Sequence, residues 1–364
     1  MTIPTIEEIR QGPKVLLHDH LDGGLRPQTL LELADQTGYR GLPTTESAQA
    51  LQSEIRQEAH GVDLPTYLGT FRHMMAVLQT PAALERVARE CAADLANDGV
   101  IYAEVRFAPE AHLRGSMNLD DAIEAVLSGL RVTANSGLKV SLICTALRHE
   151  THSMAVAEAA VRWRAQGVVG FDLAGPEHGY PVHHHGPAVS YATEHGLGIT
   201  LHAGEGDGVE SIEAALDLGA TRIGHGVRII EDLDTTADPK RLGNVAARLL
   251  RSEVALEVCP TSNVHTGVAA SISAHPVKHL FDAGLAVTIN TDNRMISRVS
   301  ATSEFATLVQ HQSWDWRHIE MVTNNAIDAS FLDETTKAKT RTLIQSWYRT
   351  MNGRMESDLR NRPR

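Results

Sequence analysis

With 364 residues, 42% hydrophobic, 21% charged and 4% aromatic, the chain has the composition of a soluble globular protein and the length for one large α/β barrel or two ordinary domains. Its formal net charge of −12 at pH 7, with no offsetting basic patch, excludes nucleic acid and anionic membrane as expected partners and suits a small neutral or cationic substrate. The N-terminal stretch carries Glu7 and Glu8 and does not read as a secretory signal, no run nears the roughly 20 apolar residues of a membrane span, and Cys91, Cys144 and Cys259 show no disulfide spacing, so a cytoplasmic location is expected.

Eight short β-rich runs alternate along the chain with longer amphipathic stretches. The runs are Val15–His20, Val100–Phe107, Val140–Leu147, Val168–Leu173, Ile199–His202, Arg222–His225, Ala255–Cys259 and Ala286–Thr291. Helical patterns fall between them at Leu119–Ala134, Met154–Ala165, Ala188–Glu194, Val209–Leu218, Leu242–Leu250 and His275–Asp282. Such alternation predicts right-handed βαβ units and a parallel sheet. Eight of them favour an α/β fold closed as a (β/α)8 TIM barrel over an open doubly wound sheet, and no Gly-x-Gly-x-x-Gly follows the first strand.

The first interval is too long for one crossover, with about eighty residues between His20 and Val100. Leu30–Ala34, Ala48–Arg56, Leu64–Leu78 and Pro81–Leu95 look helical, which predicts a helical insertion over about 25–97. It would sit over the barrel mouth, either as a lid or as plain packing. From Trp314 the pattern is helical, ending in a polar tail over about 353–364 whose last residues, 361–364, should fray. No repeat or composition break marks a linker, so 1–364 reads as a single domain.

The chemistry gathers where apolar runs end, because the carboxyl ends of barrel strands converge on one mouth. His18 and His20 stand two apart on a strand and share a face, with Asp19 pointing the other way. Buried strand histidines are often merely hydrogen-bonded, but the adjoining Leu21-Asp22-Gly23-Gly24 turn puts an acid near the mouth. In His202-Ala-Gly-Glu205 a histidine closes a strand and Gly204 turns the backbone back over the opening. Glu205 there is either a proton shuttle or a first-turn acid of the next helix. His225 is flanked by Gly224 and Gly226, as where a ligand approaches the backbone. Asp292 ends an apolar run, where an unpaired carboxylate is costly. Three histidines and a carboxylate make a ligand set for one zinc ion.

Other groups take plainer readings. His183-His184-His185 reads as a solvated loop, Cys259 and the His73-Met74-Met75 segment as packing, and the roles of His149, His178 and His265 stay open.

As an ordered set the motifs resemble the adenosine deaminase family of metal-dependent hydrolases. The matching pieces are His18-Asp-His-Leu-Asp-Gly23, Tyr102-Ala-Glu-Val-Arg-Phe107, Phe171-Asp-Leu-Ala-Gly175, His202-Ala-Gly-Glu205, Gly224-His-Gly226, Cys259-Pro-Thr-Ser-Asn263 and Asn290-Thr-Asp292. The resemblance implies a zinc-bearing (β/α)8 barrel that deaminates adenosine and 2′-deoxyadenosine to the inosines in purine salvage. It also implies roles: His18, His20, His202 and Asp292 as ligands of one Zn2+, Glu205 as proton donor to purine N1, and His225 orienting and helping to deprotonate the attacking water. Asp292 then counts as catalytic as well as metal-binding, and His20, Asp22 and Gly175 would line the nucleoside, Asp22 at the ribose.

Two features bear on the match. Family members commonly carry a second aspartate, sharing a proton with purine N7, where this chain has Asn293. An amide donates without first needing a proton, so purine recognition is expected to persist. Two-metal relatives bridge their ions with a modified lysine on the fourth strand, and Val168-Val-Gly-Phe-Asp-Leu173 has none, which favours one metal. The alternative substrates are adenine or another 6-aminopurine nucleoside, with Asp22 favouring a ribose partner. The expected partner is thus a small purine nucleoside, and the sequence leaves the oligomeric state open.

Overall fold

The computed structural model describes residues 3–61, 63–131, 137–237 and 240–360. Eight strands run parallel in chain order: β1 (Lys14–His20), β2 (Val100–Phe107), β3 (Lys139–Leu147), β4 (Val168–Ala174), β5 (Gly198–Ala203), β6 (Arg222–His225), β7 (Ala255–Val258) and β8 (Val287–Ile289). Each expected run matches one strand to within a residue or two. The strands read as continuous apolar runs because helices cover one side and the barrel interior the other; every residue of β1 is buried.

The circle closes at the site itself. A parallel bridge joins Asp19 to Asp292, and the Asn290 side-chain oxygen accepts from the backbone N–H groups of Leu17 at 2.9 Å and His18 at 3.1 Å. The seam between first and last strands thus fixes His18 and Asp292 against each other.

The insertion forms five helices, Pro27–Thr37, Ala48–Glu58, Leu64–Gly69, Arg72–Val77 and Pro81–Asn97. The expected single helix over 64–78 is broken after Gly69, where the Thr70 hydroxyl turns back to donate to the Tyr67 carbonyl at 2.7 Å. Glycine and a back-bonding threonine both weaken a helix interior, so the break is locally encoded. It aims Tyr67, Leu68, Phe71 and Met75 into one cavity at the barrel mouth.

Three smaller differences concern the ends of elements. Arg241–Leu242 pair with Leu233–Asp234 as a short antiparallel ribbon, so the next helix starts at Asn244, where the Asp232 carboxylate accepts from the amides of Val245 and Ala246. Short helices Pro260–His265 and Arg294–Ser297 follow β7 and β8. The helix beginning at Leu119 is described to Leu130, and the rest of its expected span, from 132, lies outside the described residues, as does the expected tail at 361–364. The last helix carries the backbone to Arg360. Among the described residues no helix is long and apolar enough to cross a membrane.

Candidate active site

The strand ends bring the dispersed histidines into contact. The ring of His18 lies 4.6 Å from that of His202 and 5.2 Å from that of His20, centroid to centroid. Asp292 Oδ1 stands 3.6 Å from His18 Nε2 and 3.5 Å from His20 Nε2, while His20 Nε2 and His202 Nε2 are 3.2 Å apart.

The donor set fits a metal by its tautomers. His18 Nδ1 lies 2.9 Å from Glu257 Oε2, and His202 Nδ1 lies 3.0 Å from Asp172 Oδ1. Carboxylates accept only, so each Nδ1 carries a proton and each Nε2 faces the space between the rings. There, against burial and Arg106, the Asp292 and Glu257 carboxylates raise the His18 pKa, as a cation-binding position requires of its anionic partners. His18 Nε2 is buried without a hydrogen-bond partner. Convergent lone pairs beside a carboxylate oxygen repel unless a cation lies between them. Two nitrogens each about 2.0–2.1 Å from a tetrahedral ion stand about 3.4 Å apart, close to the spacing found here. Burial lowers the pKa of His202 and brings that of His20 to about 3, so both rings are neutral and able to ligate.

Distance alone would also group His225 with His18 and His202. Its partners set it apart: Nδ1 meets Asn263 Nδ2 at 3.1 Å, and Nε2 faces Glu205 Oε2 at 3.5 Å. Burial, then the charges of Asp292 and Glu177, hold Glu205 well above the usual carboxylate range. That shift favours the acid form, the form able to give a proton away.

Backbone strain marks the same places. His225 and Asp292 adopt positive φ, 60° and 54°, a conformation that side-chain-bearing residues rarely take outside functional sites. Gly224 is required by close approach: a Cβ there would lie 3.1 Å from His202 Cα and 3.3 Å from His18 Cε1.

The cavity above these groups, about 820 Å³ including its open mouth, has two unlike walls. His20, Asp22, His202, Glu205, His225, Asp292 and Asn293 line the barrel side, and Leu64, Leu68, Phe71 and Met75 come from the insertion. Asp22 Oδ2 accepts from the Ala108 amide at 3.2 Å and lies 3.6 Å from His112 Nε2, while buried Oδ1 makes no hydrogen bond and faces His20 Nδ1 at 3.9 Å. Gly175 and His149 also line the cavity. The Asn293 amide donates to the Tyr67 hydroxyl at 3.0 Å.

Several supporting residues were not assigned roles from sequence. Arg106 lies beneath the histidine cluster, with Nη1 3.1 Å from Asp172 Oδ2 and Nη2 2.7 Å from Glu257 Oε2. Arg222 adds a 2.6 Å contact to Glu257 Oε1. Burial alone would push both acids up, but His202 and Arg106 hold Asp172, and Arg106 and Arg222 hold Glu257, below the usual range. Glu177 accepts from the amides of Gly204, Glu205 and Gly206 and from the Ser211 hydroxyl, pinning the loop that presents Glu205. Ser262 donates to Asp292 Oδ2 at 2.6 Å. The available signal was a charged residue inside an apolar strand, as at Arg106, Asp172 and Glu257; nothing local says what it faces.

Of the plainly read groups, Cys259 is buried and unpaired as expected, and His73 packs with its Nδ1 2.9 Å from the Tyr39 hydroxyl. The histidine triplet divides: His183 and His184 are solvent-exposed as expected, but Val182–His185 form a 3-10 turn, and His185 is buried with Nδ1 2.9 Å from Ser153 Oγ and Nε2 3.0 Å from the Arg148 carbonyl. The expectation failed at His185 because the contacts that bury it come from distant segments.

Comparison with known proteins agrees with this geometry. The family model described as adenosine deaminase matches residues 13–347. A protein of Mycobacterium ulcerans named adenosine deaminase is 47% identical over 338 residues, covering 91% of this chain and 93% of that protein. The crystal structure of adenine deaminase from Arthrobacter aurescens superposes with a TM-score of 0.82 at 28% identity, covering 93% of this chain and 99% of the other. The Arabidopsis N6-mAMP deaminase superposes with a TM-score of 0.79 at 28% identity, covering 93% and 99%.

Proposed function

Because the chain belongs to the adenosine deaminase family of hydrolases, we propose that it converts adenosine and 2′-deoxyadenosine to inosine and 2′-deoxyinosine with release of ammonia. One zinc ion per chain would be held by His18, His20, His202 and Asp292. The observation that carries this reading is the placing of Glu205, whose carboxyl burial shifts toward the acid form, across one cavity from the convergent imidazoles and the Asp292 carboxylate.

Held by those four residues, zinc would supply acidification of water, from a pKa of about 15.7 toward about 7. The protein residues do the rest. Glu205 gives its proton to purine N1, which draws electrons from the ring and opens C6 to attack; such transfers are worth about 10²–10⁴ in rate. His225 orients the attacking water, and Asp292, held by Ser262, takes up its proton. Asp292 returns that proton to the C6 amine, which leaves as ammonia, and the proton remaining on the new C6 hydroxyl passes back to Glu205. Asp22, whose Oδ1 makes no hydrogen bond, takes a ribose hydroxyl, while His20, Gly175 and Asn293 contact the nucleoside. The apolar wall from Leu64 to Met75 excludes water above it.

Lining chemistry supports a nucleoside over a nucleotide. Among the described residues no lysine or arginine lines the cavity, so a phosphate would enter beside Asp22 without a cation. The Asp22 oxygen that makes no hydrogen bond supports a nucleoside over adenine. Ammonia release from adenosine, 2′-deoxyadenosine, adenine and adenosine monophosphate, with and without a chelator, tests the proposal. We expect kcat/KM for the nucleosides to exceed that of the other two by at least about tenfold, with loss of turnover on metal removal. Adenine or the nucleotide as best substrate would overturn the substrate assignment; chelator-insensitive turnover would overturn the metal.

A further inference from the structure

The helix after β7, Pro260–His265, carries Asn263, a buried amide that the reaction above does not use. Asn263 sits between two buried histidines. Its Nδ2 lies 3.1 Å from His225 Nδ1, and its Oδ1 lies 3.2 Å from His275 Nε2. His275 in turn accepts at Nδ1 from the Val277 backbone N–H at 3.1 Å. Asn263 and His275 are both buried.

The chain of donors has one permitted sense. A backbone amide only donates, so His275 Nδ1 must accept. Burial lowers the His275 pKa to about 3, so the ring is neutral and its single proton lies on Nε2. That proton is donated to Asn263, whose oxygen must therefore face His275 and whose NH2 must face His225. His225 Nδ1 is thereby an acceptor, and a neutral His225 carries its proton on Nε2, the nitrogen directed at Glu205.

We propose that the relay Val277–His275–Asn263 locks His225 as the Nε2–H tautomer, so that His225 works as a hydrogen-bond donor at the reacting centre and not as the base for water. Both ring nitrogens are committed: one lone pair is taken by Asn263 and the other position already holds a proton. Forming the imidazolium would set two donors, Asn263 Nδ2 and His225 Nδ1, against each other at 3.1 Å. The ring can then steady the oxygen of the attacking water, or the Glu205 carboxylate once it has given up its proton. The proton from water goes to Asp292. Asn263 and His275 are positioning residues that act through His225. The tautomer assignment stands on the hydrogen-bond chain alone; its kinetic consequence rests on the deaminase reading.

Nitrogen NMR of zinc-loaded protein labelled with 15N-histidine reads the tautomer directly, the His225 signals being those lost in His225→Gln. We expect a protonated Nε2 and an unprotonated Nδ1 near neutral pH. A protonated Nδ1 in the unsubstituted protein overturns the proposal, whatever the substrate proves to be. Two substitutions supply the kinetic arm, with metal content and ammonia release by the unsubstituted enzyme measured first. Asn263→Asp is nearly isosteric but only accepts, so it demands Nδ1–H and reverses the tautomer. A wrongly held imidazole costs about 10⁴ in kcat in a hydrolase triad, and we expect Asn263→Asp to lose at least about 10² in kcat with KM little changed. Asn263→Ala removes the amide without imposing the opposite tautomer and should stay within about tenfold of the unsubstituted enzyme. A structural role predicts that any loss of activity in either variant follows its loss of stability, measured by urea denaturation, since Ala leaves a cavity and Asp buries a carboxylate. That pattern, or alanine as the worse variant, would overturn the relay, while a wild-type enzyme that deaminates none of the aminopurines overturns the functional reading and leaves the NMR result standing.

Discussion

The two walls of the cavity use opposite physics. Below the strand ends, Asp172 and Glu257 are fully buried yet charged, because Arg106 and Arg222 are buried with them. Above, Leu64, Leu68, Phe71 and Met75 present carbon. The floor holds His18 and His202 in one orientation, which a fixed array of charges does well in a low dielectric. The roof offers area without direction, which favours binding but not a particular reaction. Changes to the floor should therefore damage chemistry, metal affinity or stability, whereas changes to the roof should damage binding alone.

The largest effect belongs to Glu205 on the barrel side. Glu205→Gln should lower kcat by about 10²–10⁴ with metal content unchanged, and near-normal turnover would remove Glu205 from the mechanism. Next comes Arg106→Met, which leaves two carboxylates buried without their shared cation. Breaking a buried pair this way costs about 3–5 kcal/mol, read by urea denaturation of metal-free protein, and a loss under about 1 kcal/mol would show that the floor is not held by charge. On the roof, Leu68→Ala should raise KM roughly tenfold, about 1.4 kcal/mol of contact area, with kcat unchanged. A fall in kcat instead would mean that the roof also takes part in the chemistry.

The smallest effect concerns a buried acid with no arginine. Glu304 is fully buried, its Oε2 accepts from the Thr261 amide at 3.3 Å, and it makes no ion pair among the described residues. Burial raises its pKa from 4.5 to about 8. The folded state thus holds a proton that the unfolded chain releases, so this contribution to stability is complete below about pH 4.5 and is lost as pH rises through about 8. Glu304→Gln should flatten the fall of Tm over that window; an unchanged slope would mean that Glu304 is charged in the fold, like the acids of the floor.

Strands and motifs were legible in the chain because their signals are local. A parallel strand covered on both sides must be an apolar run, and a ligand at its end must interrupt or follow that run, as His202 and Asp292 do. Even the spacing of His18 and His20 carries their shared face. The paired partners left no such trace. Glu257 lies 239 positions from His18 and 151 from Arg106, and Asn263 lies 38 from His225. No periodicity encodes such separations.

The sequence by itself therefore determined the barrel, the family and which histidines and acids stand at the strand ends. Tertiary structure alone decided the protonation of those residues. Whether Glu205 holds its proton, whether Glu257 stays charged, and which nitrogen of His225 carries hydrogen depend on burial and on the partner across the barrel. Those are properties of the enclosed space, and a chain acquires them only when it closes.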